Sequence, residues 1–454
     1  MACSVHQKFG EFDMRGRPKL FTSYEADAAI FPTTLQRWLV GFGVLVLFLM
    51  PFDVPLISGP VPDSWPVLSK IPILNDGLPF VRFLGDANWI RPMTEVFIFG
   101  VAALGLNILT GMGGQVSLGH SFFMGAGACT AAVLGGAEGG RFWGMGLPVW
   151  IWLPAAGVVA ALIGIVVSPT AVKLRGLYLG IVTLGLVFIG VHLSRVWPQI
   201  AGDTESGRKY PEFDLKLWKE EEPLLAVSSA DTETGWFGLN QFEVDDKQKI
   251  YMFCLIVLIG MAFLAKNIMR SRTGRALQAI RDRDIAAEVM GVNEAKYKRI
   301  AFAISSFYAG IAGALFGSFL GKVAGNQFDI FLAVEFIAIL LIGGAGTVSG
   351  ALMGTFFVVI LPEAVKKVTE WLEHQQHDQG FFEPIANVLL TEGPGDLGPI
   401  STASISPGWA LGVFDWNVVI YGSLIVVFLI FEPHGLFGIW TKIRNYWKGW
   451  PFTY

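Results

Sequence analysis

Lys266 to Arg299 reads KNIMRSRTGRALQAIRDRDIAAEVMGVNEAKYKR, nine Lys or Arg against four Asp or Glu, between two apolar runs each long enough to cross a bilayer. A basic loop between spans belongs in the cytoplasm by the positive-inside bias, so this stretch orients the chain. Thr273 and Asp284 are placed as helix N-caps and Gly291 as a stop. The spacing predicts two short helices, about Gly274–Arg281 and Ile285–Met290. Leu277 with Ile280, Ile285 with Val289, and Ala286 with Met290 give each an apolar edge beside bases such as Arg275. Two readings fit: a docking element on which a soluble partner pushes, or a solvated connector hugging the membrane.

Outward from the loop, the solvent for most of the chain is lipid. Of 454 residues, 53% are hydrophobic and only 15% charged, and mean hydropathy is +0.53, too apolar for a soluble globular protein. The net charge of −4 is small and predicts no nucleic-acid partner. Three cysteines, Cys3, Cys129 and Cys254, give no disulfide framework. The polar, mixed-charge first 34 residues carry no cleavable signal pattern and are expected to stay on the chain, in the cytoplasm.

About ten apolar runs are long enough to span hydrocarbon, centred near Leu45, Ala102, Met124, Ala160, Leu184, Val257, Gly310, Ile339, Phe357 and Leu424. The expected fold is an all-α, polytopic membrane protein with both termini cytoplasmic. It has an N-terminal segment (1–34), a transmembrane body (35–438) and a C-terminal tail (439–454). Lys173, Arg175, Lys442, Arg444 and Lys448 then fall inside, while the segments Asp53–Glu95, Arg195–Lys249 and Pro362–Asp415 fall outside. Trp89, Trp150, Trp152 and Trp197 lie near span ends, where the ring suits the headgroup layer.

Two glycine-rich stretches break the apolar pattern: LTGMGGQVSLGHSFFMGAGA from Leu109 to Ala128, and LIGGAGTVSGALMG from Leu341 to Gly354. Backbone groups freed at such breaks must be buried in protein or line a watery cavity. Paired interruptions point to a substrate site in transporters; small residues also permit close helix packing. By count both breaks lie toward the basic-loop side, so no inverted repeat is established. Gln115, Ser117, His120 and Ser121 in the first break and Thr347 and Ser349 in the second are polar groups near membrane depth and candidates to line a path. Glu335 is a carboxylate within an apolar run. It reads either as a path residue or as an acid snorkelling to the outer surface.

Five blocks carry a family resemblance, in order: GLNILTGMGGQVSLGHSFFMGAGACTAAVL, LRGLYLGIVTLGL, GRALQAIRDRDIAAEVMGVNEAKYKRIAFAISSFYAGIAGALFG, AVEFIAILLIGGAGTVSGALMG and FEPHGLFG. The chain resembles the permease subunits of ABC importers for branched-chain amino acids, the LivM type, over roughly 96–195 and 250–438. Ala286, Ala287 and Gly291 match the Ala-Ala-x-x-x-Gly part of the importer coupling motif; its usual first Glu is here Ile285, with Asp284 one place earlier. The resemblance implies that Arg275, Leu277, Ile280, Asp284, Ala286, Ala287 and Gly291 meet an ATPase. It implies a path past the polar groups of the two breaks and Glu335. The implied partners are ATPase subunits, a second, homologous permease and an extracytoplasmic solute-binding protein, in a bacterial-type inner membrane.

The chain contains no Gly-x4-Gly-Lys-Ser/Thr phosphate loop, since its Gly321-Lys322 pair is followed by Val323. The expectation is therefore a non-catalytic subunit without a cofactor, with ATP and Mg on partner ATPases. A self-sufficient secondary transporter or channel, using Glu335 or His120 for a proton, is the alternative. Urea or amide importers share this permease type, and an integral-membrane enzyme finds no nucleophile–base spacing.

Overall fold

A computed structural model describes residues 34–51, 87–137, 141–174, 176–203, 207–211, 246–377, 390–391, 400–401, 411–412 and 435–449, with scattered positions between 416 and 432. The chain begins with α1 (Thr34–Leu49) and α2 (Ala87–Leu106), which widens into a π turn at Asn107–Met112. Then come α3 (His120–Gly135), α4 (Val149–Lys173), α5 (Leu177–Val196) and a single turn, α6 (Pro198–Ala201). After α7 (Asp246–Arg270), the basic loop folds as α8 (Arg272–Asp282) and α9 (Asp284–Val289). The rest is α10 (Glu294–Leu320), a 3-10 turn at Gly325–Gln327, α11 (Ile330–Gly343), α12 (Val348–His377) and α13 (Gly435–Gly449).

Six helices among the described residues are long and apolar enough to cross a bilayer: Trp89–Met112, Val149–Thr170, Tyr178–Val196, Gln248–Arg270, Glu294–Leu320 and Gly325–Gly343. Arg37–Leu49, His120–Gly135 and Val348–Ala364 are apolar but shorter. Nine of the ten expected centres fall in these helices, while Leu424 lies outside the described residues.

Helix α10 is the axis of the bundle, packed on α2, α3 and α4. Glycine makes this possible. A Cβ at Gly313 would stand 1.9 Å from the Met124 carbonyl oxygen of α3, and one at Gly310 would stand 2.6 Å from both the Ala156 carbonyl and the Ala160 methyl of α4. Small residues thus let backbones touch, and dispersion contacts hold helices together where no hydrophobic driving force acts. Aromatic rings fill the remaining space: Phe99 sits between Phe316 and Phe336, tilted against both, at 5.5 and 5.2 Å.

The end away from the basic loop is clasped by a two-stranded antiparallel pairing, β1 (Arg208–Lys209) with β2 (Lys322–Val323). Buried Arg208 donates to the carbonyls of Gln199 (3.1 Å) and Trp143 and sits over the Phe142 ring. Tyr210 donates to the Ala314 carbonyl at 2.9 Å. Burial pushes its hydroxyl well above the usual tyrosine range, so it remains a donor. Three further two-residue strands, β3 (Leu390–Thr391), β4 (Ile400–Ser401) and β5 (Leu411–Gly412), pair in parallel in that order.

Several boundaries differ from the sequence reading. Helix α2 starts at Ala87, inside the segment assigned to an outer loop, because Trp89, Ile90 and Met93 are already buried. Glu95 is therefore inside a span. Helix α12 runs through Pro362 to His377, since one proline costs a backbone hydrogen bond without ending the helix. Trp152 is not interfacial but fully buried against Tyr210, edge to face at 6.0 Å. The caps of the basic loop also move by a residue or two. Ser271, not Thr273, caps α8 by accepting from the Gly274 N–H, and Asp284 is the first residue of α9, capped at Arg283. A serine hydroxyl two places earlier was the better-spaced acceptor.

Candidate translocation and coupling site

The two glycine breaks and the basic loop meet at one node. The π turn that ends α2 turns Asn107 outward from its own helix, toward the second break. There its Nδ2 donates to the Thr347 carbonyl (3.1 Å), and its Oδ1 accepts from the Gly346 N–H (2.7 Å). Widened turns of this kind are frequent at functional sites. Gly111 completes the fit, because a Cβ there would lie 2.2 Å from Asn107 Oδ1 and 2.4 Å from the Gly346 nitrogen. Gly346 itself has φ of +93°, a backbone state that favours glycine.

Arg281, near the end of α8, is the third member. Its Nη1 donates to the Gly111 carbonyl at 2.7 Å, and its Nη2 pairs with Asp282 at 3.1 Å. Its stem lies against Gly114, where a Cβ would meet Cγ at 2.8 Å. The C-terminal helix joins from below: Gly435, which opens α13, abuts the Ile342 carbonyl and the Gly344 nitrogen of the second break. Arg281 thus touches the first break, and Asn107 joins that break to the second.

From the node the first break climbs into the bundle. His120 Nε2 stands 2.8 Å from the Ala102 carbonyl and therefore carries the ring proton, and the ring packs edge-on against Phe336 at 5.4 Å. Ala102 is ten residues back along α2 from Met112, or about 15 Å at helical rise. The extended chain from Gly113 to Gly119 thus covers roughly half a bilayer's hydrocarbon before α3 begins. Thr183 of α5 fixes it in place, accepting from the Leu118 N–H at 2.9 Å while donating within its own helix.

The sequence-predicted path residues divide accordingly. Ser117, His120 and Ser121 are buried together at this depth, and Ser121 Oγ has no hydrogen-bond partner among the described residues. Gln115 is buried at the foot of the climb. Thr347 caps α12, accepting from the Gly350 N–H at 3.0 Å, and Ser349 is exposed at the same end. Glu335 lies one residue from Phe336 and so sits level with His120, with Glu95 and Asp329 within electrostatic reach. An almost wholly apolar cavity of about 390 Å³ opens between α3 and α5 toward the far end, lined by Phe122, Cys129, Leu193, Trp197 and Phe328 among others.

The residues of the basic loop divide too. Leu277, Ile280 and Ala287 are buried in the chain's own bundle, while Arg275 and Ala286 are exposed. Gly291 has φ of +85° and closes α9, its N–H and that of Val292 donating to the Glu288 and Ala287 carbonyls. Ile285, Val289 and Met290 are 72%, 83% and 84% exposed. Together they leave one apolar face of α9 uncovered by the rest of the chain.

Sequence reasoning missed Asn107, Arg281, Thr183 and Glu95. The signal for Asn107 was a lone amide in an apolar run four residues before the first glycine of the break. The signal for the others was tertiary. Among the described residues, no three His, Cys, Asp or Glu side chains gather as a metal site.

Residues 89–391 match the family described as branched-chain amino acid transport system / permease component. The chain belongs to this family. It is 29% identical over 320 residues to the high-affinity branched-chain amino acid transport system permease protein LivM of Escherichia coli K12, covering 70% of this chain and 73% of the relative. It is also 29% identical over 145 residues to the LivH permease protein of Salmonella typhimurium (32% of this chain, 46% of that one). Its identity to the autoinducer 2 import system permease protein LsrC of Enterobacter sp. strain 638 is 37% over 109 residues (23% and 30%). No solved structure matches it. The permease is thus a multi-pass membrane subunit of a branched-chain amino acid ABC importer, and its paired breaks lie within the matched region.

Proposed function

We propose that this permease carries aliphatic amino acids inward by alternating access, with no catalytic chemistry of its own, levered by ATPase subunits that grip the exposed face of α9. The observation that carries this reading is the apolar face of Ile285, Val289 and Met290, outside any span and turned away from the bundle. Arg275 and Ala286 are exposed as well, Asp284 and Gly291 bound α9, and Leu277, Ile280 and Ala287 are buried and root the lever. On this reading the basic loop is cytoplasmic, in keeping with its charge. ATP and Mg stay on the ATPase chains.

Closure of the ATPases would swing α8 and α9 as one body and pull on Gly111 through Arg281, shifting both breaks together. The path would pass Gln115, Ser117, His120 and Ser121, with Glu335 level with His120 and Thr347 and Ser349 at the cytoplasmic end. The apolar cavity between α3 and α5 suits an aliphatic side chain, and few charges line the way. A second permease, homologous to this one, would complete the gate, and a solute-binding protein would deliver cargo to the outer surface. The membrane is the bacterial-type inner membrane.

Val289→Asp places a charge at the centre of the docking face without touching the bundle. Co-purification with the ATPase subunits should fall by at least about tenfold, and ATP-dependent leucine uptake with it. Undiminished association refutes the assignment of this face.

A further inference from the structure

Beside the node lies a polar cavity of about 240 Å³ whose walls come from three separate bodies. Gly113, Gly114 and Gln115 of the first break form one wall, and Ile280 to Asp284 of the α8–α9 lever form the second. The third is the span ends, Leu174, Gly176 and Leu179 beside α5 and the buried Glu294–Lys298 ion pair (2.5 Å) of α10.

Its chemistry is specific. Gln115 is only 5% exposed, yet neither its amide oxygen nor its amide nitrogen has a hydrogen-bond partner among the described residues. Burying a donor and an acceptor unpaired is costly, and native structures keep such groups for a reason. Here one side chain offers one of each to whatever enters. Both signs of charge stand on the lever wall. Arg281 is engaged by Gly111 and Asp282, whereas Arg283 makes no ion pair among the described residues; Asp284, which has a partner of its own, adds negative charge to the same wall. Leu174, Leu179 and Ile280 supply an apolar patch. A donor, an acceptor, a cation, an anion and a greasy wall in a small space match one ligand class: a zwitterion with an aliphatic side chain.

We propose that this cavity is a cytoplasmic binding site for a free aliphatic amino acid, and that filling it pins the lever to the first break. The inference rests on the importer reading for its orientation and its ligand. A ligand that bridges three bodies favours the arrangement in which they stand together and, by linkage, opposes any step that separates them. Import would therefore slow as product accumulates on the receiving side.

The test uses the assembled transporter in proteoliposomes, cytoplasmic face inward, loaded with ATP and a graded series of L-leucine. Initial uptake of labelled leucine, supplied with the binding protein outside, is measured. Wild-type uptake should fall as lumenal leucine rises. R283Q and Q115L, each referred to its own rate from leucine-free vesicles, should raise the half-inhibiting concentration at least about tenfold, the effect of losing a hydrogen bond to a charged group. Arg283 is exposed, so its substitution does not disturb packing. Uptake indifferent to lumenal leucine, or R283Q with wild-type inhibition, overturns the proposal and leaves the importer reading standing. Absence of ATP-driven uptake from leucine-free vesicles sinks the importer reading and this inference with it.

Discussion

Asn107→Leu removes the clamp between the two glycine breaks while nearly conserving side-chain volume. Two backbone groups lose their partners, the Gly346 N–H and the Thr347 carbonyl, now bonded at 2.7 and 3.1 Å. Each orphaned group costs about 1–3 kcal/mol if it stays dry. Both sit in a half-buried site, which favours the lower end and gives about 2–3 kcal/mol in all. The buried leucine recovers part of this, yet the space allowed to residue 107 is tight, because a Cβ on Gly111 would already lie 2.2 Å from Oδ1. The net expectation is a loss of about 2 kcal/mol. Reversible unfolding of the permease in mixed micelles measures it, with Thr94→Val as the control. Thr94 is equally buried in α2, but its hydroxyl bonds only to Ile90 of its own helix, so its loss leaves that carbonyl still served by the helix ladder. If N107L is no less stable than T94V, the clamp does not join the breaks.

Two other substitutions probe the supports of the node. Gly313→Ala drives a methyl to within 1.9 Å of the Met124 carbonyl; α3 and α10 must part, and the purified protein should lose about 3 kcal/mol of stability or fail to assemble. Thr183→Val keeps the shape of α5 but strips the acceptor from the Leu118 N–H. Hydrogen exchange at Leu118 should quicken about tenfold, or about 1.4 kcal/mol, with neighbouring α5 amides unchanged.

Much of this was written in the sequence because lipid enforces simple rules. Runs of apolar residues located nine helices, and Lys266–Arg299 located the two short helices between spans, since a charged loop cannot enter hydrocarbon. Glycine runs at 109–128 and 341–354 located the breaks. What the sequence could not carry is which break meets what. Asn107 and Thr347 are 240 residues apart and Arg281 and Gly111 are 170 apart, and neither pair leaves a local pattern. The division of the basic loop into buried and exposed residues was also hidden. Leu277 and Val289 look alike as apolar residues on short helices, yet one is buried in the bundle and the other is 83% exposed, a distinction that only tertiary packing decides. The neighbours of Glu335 were hidden as well, since Phe336 beside it meets His120 of a helix some 200 residues earlier.

The central claim is that Arg281 carries the lever's movement to the breaks through the Gly111 carbonyl. Arg281→Met keeps the stem that packs on Gly114 and removes only the guanidinium. With the ATPase subunits and binding protein present, ATP hydrolysis and leucine uptake should be measured on the same proteoliposomes. The account predicts that hydrolysis persists while leucine moved per ATP falls about tenfold, as expected for losing one charge-assisted bond. An unchanged ratio, whatever the absolute rates, would contradict it.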